Sequence, residues 1–427
     1  MGLTRHLKRN LAIAALFTAA VGVVSLLGEP PSRRDFISYW AAGRLAITGN
    51  HPYDRASIFA LELRNGFDRS KPLLPRTPPW SLWFMLPLGF LPLGWAWTVW
   101  LGICVAGLLI SVRLCATILA DGDAGARSLF LLLGCGFAPV LACLMFGQIG
   151  ILLLLGFLIF LRMERAHPFW AGFALILPFS KPHLLISFLV ALLFWIVATR
   201  RWRLLAGFVV AWASTSLVAL AVDPHVALSY WQAMMEESVL QDPVPLNLVR
   251  VLRSLLVPNA PALQFAPAVI AAIWSGWYYL RNKERWDWLN VGFLVLLVSM
   301  ITAPYAMFTD EALLLPILLQ AALCLSVRKQ LTLATWLLPG ASVLLLVLVI
   351  TGVPVTSAVF CWSGLLWLAW RQMVQPAESS DLPASSARVF RQLGADVRER
   401  RVDRVSYGAH AGGSSQGDEG HNKGVFD

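Results

Sequence analysis

The chain has 427 residues, 58% of them hydrophobic and only 14% charged, with a mean hydropathy of +0.66 and a formal net charge of +10. A soluble globular domain carries roughly a quarter charged residues, so this composition excludes a chain solvated mainly by water and calls for lipid. The positive charge is not the footprint of a nucleic-acid binder, because the basic residues form short clusters between apolar runs rather than one polar face.

The chain opens with Arg5, His6, Lys8 and Arg9 before an apolar run over residues 11–28. No A-x-A-like cleavage site follows, and Glu29-Pro30-Pro31-Ser32-Arg33-Arg34 reads as a helix exit, which predicts an uncleaved anchor. Residues 29–79 then mix charged, aromatic and apolar side chains. Within them, residues 35–48 predict an amphipathic helix lying in the membrane interface, with Phe36, Tyr39, Trp40, Gly43 and Ile47 at helical spacing before the stop at Gly49-Asn50. Pro78-Pro79-Trp80, Leu86-Pro87-Leu88 and Leu91-Pro92-Leu93 predict a short helix that re-enters the membrane through proline-bounded turns.

Further apolar runs cover residues 80–112, 128–146, 148–161, 169–180, 183–199, 204–222, 263–280, 287–303, 311–327, 331–351 and 355–370. Several fall short of the roughly 20 residues that a spanning helix needs, so the runs around Gly147 and Ser180 are expected to be tilted, broken or re-entrant. A second long polar segment occupies residues 223–262, and the stretch after Gln375 is low in apolar content. The expected organisation is an all-α integral membrane domain over residues 1–375, with outer loops at 29–79 and 223–262 that carry interfacial helices. A cytoplasmic tail, disordered by composition, follows over residues 376–427.

Counting turns from a cytoplasmic N-terminus puts the basic clusters on one side. They are Arg113 with Arg127, Arg162 with Arg165, Arg200-Arg201-Trp202-Arg203, Arg281 with Lys283 and Arg285, Arg328-Lys329, and Arg371. The short opposite turns hold only Lys181, as the positive-inside rule requires. Both termini are then cytoplasmic, with about twelve crossings if every run spans. All six cysteines lie in apolar stretches without C-x-x-C or a neighbouring His, which suits small buried residues rather than metal ligands.

Phosphate-loop, dinucleotide-binding, zincin and nucleophile-elbow motifs are absent from the sequence, which argues against an ATP-driven machine and the common hydrolases. The candidates are polar residues on the outer side, where desolvation makes them costly to keep. Asp35 suits a helix N-cap or, held at the membrane edge, a general base. Gly49-Asn50-His51-Pro52-Tyr53-Asp54 is a turn followed by a polar cluster, more structural than catalytic by its residues alone. Gln148 suits a cap on the break at Gly147. In Ser180-Lys181-Pro182-His183, a lysine at a helix start is best explained by a nearby anion, a phosphate or the headgroups to which it snorkels. Asn247, Arg250 and Arg253 suit either a phosphate or lipid headgroups, while Asp310 and Glu311 read as acids of an exposed turn.

The order of several short motifs resembles the glycosyltransferase 87 family of polyprenol-phosphate-mannose-dependent mannosyltransferases, which belongs to the GT-C class. The resemblance rests on Asp35-Phe36 with Tyr39, Ala42 and Leu45, on Gly49 to Asp54, and on Thr77-Pro78-Pro79. It continues through Gly147-Gln148, Lys181-Pro182, Asn247 before Arg250, and Ala303-Pro304-Tyr305 with Leu315-Pro316. It implies a GT-C bundle of about 12 transmembrane helices and inverting transfer of a sugar, typically mannose, from a polyprenyl-phosphate donor to a lipid or glycan acceptor outside the cytoplasm. A bacterial inner membrane is the expected location. Asp35 matches the family's acid and takes the general-base role. Lys181 and Arg250 are expected at the donor phosphate, with Gln148, Asn247, Tyr53, Asp54, His183 and Asp310 as further substrate-binding candidates. Gly150 departs from the pattern where related sequences often have Asn nearby, and Ala303-Pro304 stands where Ser-Pro is common; both bear on the sugar. No cofactor or metal is demanded, because a phosphate leaving group needs no proton and cationic side chains can neutralise it. The competing class is a multi-pass transporter or lipid flippase, marked by two related halves and ionisable residues at mid-membrane depth.

The charge asymmetry makes a direct prediction. Cysteines placed near Tyr53 and Gln241 should react with an impermeant maleimide on intact cells, while cysteines near Arg201 and Arg285 should stay unlabelled. Labelling at Arg201 would overturn the arrangement.

Overall fold

The structure is a computed structural model that describes residues 30, 32, 34–68, 70–122, 124–236, 249, 252, 253, 256 and 260–327. The first anchor, the runs after residue 327, the tail, Asn247 and Arg250 lie outside the described residues. Among those described, every regular element is helical and there is no strand. In chain order the α-helices are α1 (Phe36–Ile47), α2 (Arg55–Arg64), α3 (Leu82–Gly89), α4 (Leu93–Leu119), α5 (Ala124–Cys135), α6 (Ala138–Phe146) and α7 (Gly150–Met163). There follow α8 (Pro168–Ala174), α9 (Ile186–Thr199), α10 (Trp202–Val222), α11 (Val226–Glu236), α12 (Ala266–Asn282), α13 (Phe293–Thr302) and α14 (Leu315–Val327).

Among the described residues α4 and α10 are long and apolar enough to cross a membrane, and the pair α5 and α6 is a third such element if the two count as one bent crossing. The 27 residues of α4 reach about 40 Å, more than the roughly 30 Å of hydrocarbon. The 14 residues of α7 and of α9 reach only about 21 Å. These helices show apolar side chains outward, among them Ile103 and Ile110 on α4, Val210 and Leu217 on α10, and Ile270 and Ile273 on α12. Such faces suit lipid and would be a liability in water. The chain is a membrane protein, and among the described residues its apolar runs are divided into shorter helices, as their length around Gly147 and Ser180 led one to expect.

The breaks have local causes. Run 80–112 divides because Pro92, which has no N–H to continue a helix, stands at the start of α4. The stretch 128–161 breaks twice, at a 52° bend between α5 and α6 and again at Gly147. Gly147 takes a left-handed φ of 73° and closes α6. Run 287–303 begins as a π-helical turn at Trp288–Gly292, and run 311–327 begins inside a 3-10 segment at Phe308–Leu314.

The predicted interfacial helix at 35–48 forms as α1, but it does not lie on a surface. Phe36, Ile37, Tyr39, Trp40, Ala41, Ala42, Leu45 and Ala46 are all buried, and so is Gly43. Gly43 explains the difference: a Cβ there would collide with the carbonyl of Met85, and one on Gly89 would collide with Gly43 itself. The backbones of α1 and α3 therefore meet directly. Aromatic rings close the rest, with Phe36 edge-on to Trp97 at 5.4 Å and Tyr39 edge-on to Phe84 at 5.8 Å. Trp40 donates to the Leu91 carbonyl at 2.9 Å and Arg44 to the Gly89 carbonyl at 2.9 Å, satisfying the end of α3. Gly172 and Gly207 make a second backbone approach between α8 and α10. Cys104, Cys115, Cys135 and Cys143 are buried free thiols, in keeping with their apolar surroundings.

The α1–α3 crossing predicts opposite outcomes for two Gly→Ala substitutions. Gly43→Ala should lower the melting temperature in detergent, through overpacking worth about 1–3 kcal/mol. Gly102→Ala, in open space on α4, should leave it unchanged or raise it. Equal melting temperatures for the two variants would overturn the backbone contact.

Candidate active site

Four non-helical or helix-end segments converge beside the buried face of α1. The first is the start of α1 itself, where Asp35 and Tyr39 stand one turn apart on the same face. The second is the break at Gly147-Gln148. Gly150, just beyond it, leaves space for the fourth segment: a Cβ there would come within 2.5 Å of the Thr309 carbonyl oxygen and 2.7 Å of Cys143 Sγ. Cys143 donates its S–H to that same carbonyl at 3.1 Å, and the Trp100 indole N–H donates to the Gly147 carbonyl at 2.8 Å.

The third segment carries Lys181 between two 3-10 turns, Pro178–Ser180 and Pro182–Leu184, each opened by a proline. Trp80 stacks on Phe179 at 5.2 Å and donates to its carbonyl at 3.0 Å, fixing the turn from the side. The fourth is the Phe308–Leu314 turn, in which Asp310 accepts from the Met307 N–H at 2.9 Å.

The side chains form one continuous network. Gln148 donates from Nε2 to Asp35 Oδ2 at 2.8 Å. Its Oε1 accepts from the Tyr39 hydroxyl at 2.9 Å and from Lys181 Nζ at 3.4 Å. Lys181 Nζ in turn donates to Asp310 Oδ1 at 2.6 Å. Gln148, Lys181 and Asp310 are buried, whereas Asp35 is half-buried. Burial works against the Lys181 ammonium, but its neighbours, the Asp310 carboxylate first among them, together hold the lysine above its ordinary pKa.

Asp35, Gln148, Lys181 and Asp310 are thus brought together from four parts of the chain. Where a phosphate or lipid headgroups were expected beside Lys181, the structure has an internal carboxylate, that of Asp310. Asp310, expected in an exposed turn, has no solvent exposure at all, because its turn folds back over the Gln148 break. Asp35 makes no side-chain capping bond on α1, so its carboxylate is committed to Gln148 rather than to the helix end. Tyr39 joins the site although its spacing suggested only an apolar helix face. The signal for it was its position four residues after Asp35.

His183 lies in the turn after Lys181, with its ring 5.8 Å from that of Tyr305. Its Nε2 is buried without a hydrogen-bond partner among the described residues, and burial pushes its pKa down to about 4. Arg76, which the sequence reading passed over, stacks on the other participant in this pair, 5.0 Å from the Tyr305 ring centre. Tyr53 and Asp54 stand outside the network. The Tyr53 hydroxyl donates to the Thr77 carbonyl at 2.9 Å, and Asp54 caps α2 through the Ser57 N–H at 2.8 Å. Arg250 and Asn247 lie outside the described residues. Among the described residues no three His, Cys, Asp or Glu side chains come together as metal ligands would.

Residues 77–304 match the profile of glycosyltransferase family 87. That stretch covers more than half of the chain and includes the Gln148 and Lys181 segments. Neither the curated proteins nor the solved structures provide a match.

The loop between α1 and α2 is tied to the end of α10 by His51, whose Nδ1 lies 2.8 Å from Asp223 Oδ2. The hydrogen bond to Asp223 raises the His51 pKa above 6.5, so protonated His51 is favoured in the folded chain. The stabilisation is full below 6.5 and is lost as pH rises through the folded value. Wild type should therefore melt above His51→Ala at pH 5.5, with the gap closing as the pH is raised toward 8. A gap that widens with pH would overturn the pairing.

Proposed function

The chain belongs to glycosyltransferase family 87, and from that premise we propose that this membrane glycosyltransferase moves mannose from a polyprenyl-phosphate donor to a lipid or glycan acceptor. The reaction takes place on the outer face of a bacterial cell membrane, with both chain termini in the cytoplasm. The observation that carries the reading is the half-buried Asp35 carboxylate, held on one oxygen by Gln148 at 2.8 Å and free of any capping duty.

The chemistry asks for one base. An acceptor hydroxyl attacks the anomeric carbon from the face opposite the phosphate, Asp35 takes its proton, and the bond from the anomeric carbon to the phosphate oxygen breaks with inversion. The polyprenyl phosphate leaves as an anion and needs no proton, so a second carboxylate acting as general acid has no task here. Cationic side chains that meet the departing phosphate stabilise the charge that develops on it. Since the donor is a lipid, a soluble nucleotide-binding domain is not needed. The sugar enters from within the membrane plane.

Asp35→Asn preserves size and polarity but cannot take up the proton at neutral pH. With matched amounts of folded protein, turnover of polyprenyl-phosphate mannose should fall by about two to four orders of magnitude. Turnover within a few-fold of wild type would remove Asp35 from the role of base.

A further inference from the structure

We infer that Lys181, Asp310 and Tyr39 are positioning residues that act through Gln148, fixing the one amide orientation that lets Gln148 hold the Asp35 carboxylate. The inference rests on the reading of Asp35 as the base.

The two ends of a glutamine amide are nearly the same shape, so something must decide which end meets Asp35. An ammonium only donates, and Lys181 Nζ faces Gln148 Oε1 at 3.4 Å. The Tyr39 hydroxyl, 2.9 Å from the same oxygen, supplies a second donor. A flipped amide would press its NH2 against the ammonium and its oxygen against Asp35 Oδ2, leaving two acceptors with no proton between them. The observed orientation turns both contacts into hydrogen bonds, and Nε2 meets the carboxylate at 2.8 Å.

Asp310 holds the lysine in place for this. One of its oxygens receives the ammonium at 2.6 Å and the other is pinned by the Met307 N–H at 2.9 Å. The ion-paired side chains retain 7% and 0% exposure. Two of the three ammonium N–H groups are already spent, on Asp310 and Gln148, so an incoming phosphate would have to share a buried cation whose charge its own carboxylate already offsets. The geometry therefore favours a Lys181 that serves the base over one that grips the donor. With Oδ2 pinned, the second oxygen of Asp35 is left to face the acceptor hydroxyl.

The test uses the full chain in liposomes, with radiolabelled polyprenyl-phosphate mannose as donor and a lipid extract of the native membrane as acceptor. The double variant Lys181→Met/Asp310→Asn removes both charges together, so that no lone charge is left buried. It should lower kcat by about tenfold or more with the donor KM nearly unchanged, and Gln148→Leu should do the same. Combining the three changes should cost no more than Gln148→Leu alone, since residues acting through one intermediary are not additive. Fully additive losses would overturn the relay. A donor KM that rises steeply in the double variant while kcat holds would instead assign Lys181 to the donor phosphate.

If the double variant fails to fold, Tyr39→Phe removes a single hydroxyl from Gln148 Oε1 and should lower kcat alone; unchanged kcat would overturn the inference. Near-normal turnover in Asp35→Asn, or wild-type protein inert toward this donor, would refute the functional reading instead. The relay is then judged by the melting temperatures of the same variants, where a coupling between the charge pair and Gln148 supports it and simple additivity overturns it.

Discussion

The contact on which the site depends is the ion pair between Lys181 and Asp310. Taking two charges out of water costs several kcal/mol each, which only close mutual contact and further hydrogen bonds offset. That requirement binds together two turns separated by 129 positions in the chain. Once the pair forms, the ammonium tip has a fixed place, Gln148 has a fixed orientation, and the start of α1 must pack where Asp35 can meet it. A hydrophobic pair of similar volume would be as stable or more so. Keeping two charges there makes sense for a site whose geometry matters more than its stability.

Backbone proximity does the complementary work. The α1–α3 and α8–α10 crossings rely on glycines where any side chain would strike a carbonyl, and Gly150 does the same for the turn that carries Asp310. In lipid, helices gain little from burying apolar area against one another, so close van der Waals fit and polar contacts must do the joining. At Gly150 the added side chain would meet the Thr309 carbonyl, so a larger residue would push that turn away from Gln148.

Several of these features could be read from the order of residues. Lys181 stood out as a lone cation among the turns expected on the side opposite the basic clusters, and Asp35 as an acid at the head of a helical pattern shortly after the first apolar run. The break at Gly147 was visible as a glycine and a glutamine inside a run too long for one span. Asp310 was not legible, because whether a turn acid faces water or folds inward depends on what the turn packs against, and that partner lies far away in sequence. Hydropathy also misjudged α1. Its residues have the composition of an interfacial helix, and the one sign that it would be enclosed was Gly43, whose meaning depends on Met85 and Gly89 being opposite it. About twelve crossings follow only if every apolar run spans, and the short runs around Gly147 and Ser180 already spoke for breaks, although their exact places depend on prolines and glycines that hydropathy does not register.

Pro178 and Pro182, on either side of Lys181, each lack a backbone N–H. A buried donor of this kind needs a partner, and here two of them are missing from the chain itself. The Lys181 N–H turns inward to the Pro178 carbonyl at 3.2 Å, the Ser180 hydroxyl to the Ile176 carbonyl at 3.3 Å, and the Phe179 carbonyl is taken by Trp80. The turn's backbone groups are thereby occupied by one another and by Trp80, around a single cation that reaches Gln148 and Asp310. Its charge is concentrated at one tip, and a small rotation of that tip would be felt at once by the Asp310 carboxylate and the amide of Gln148.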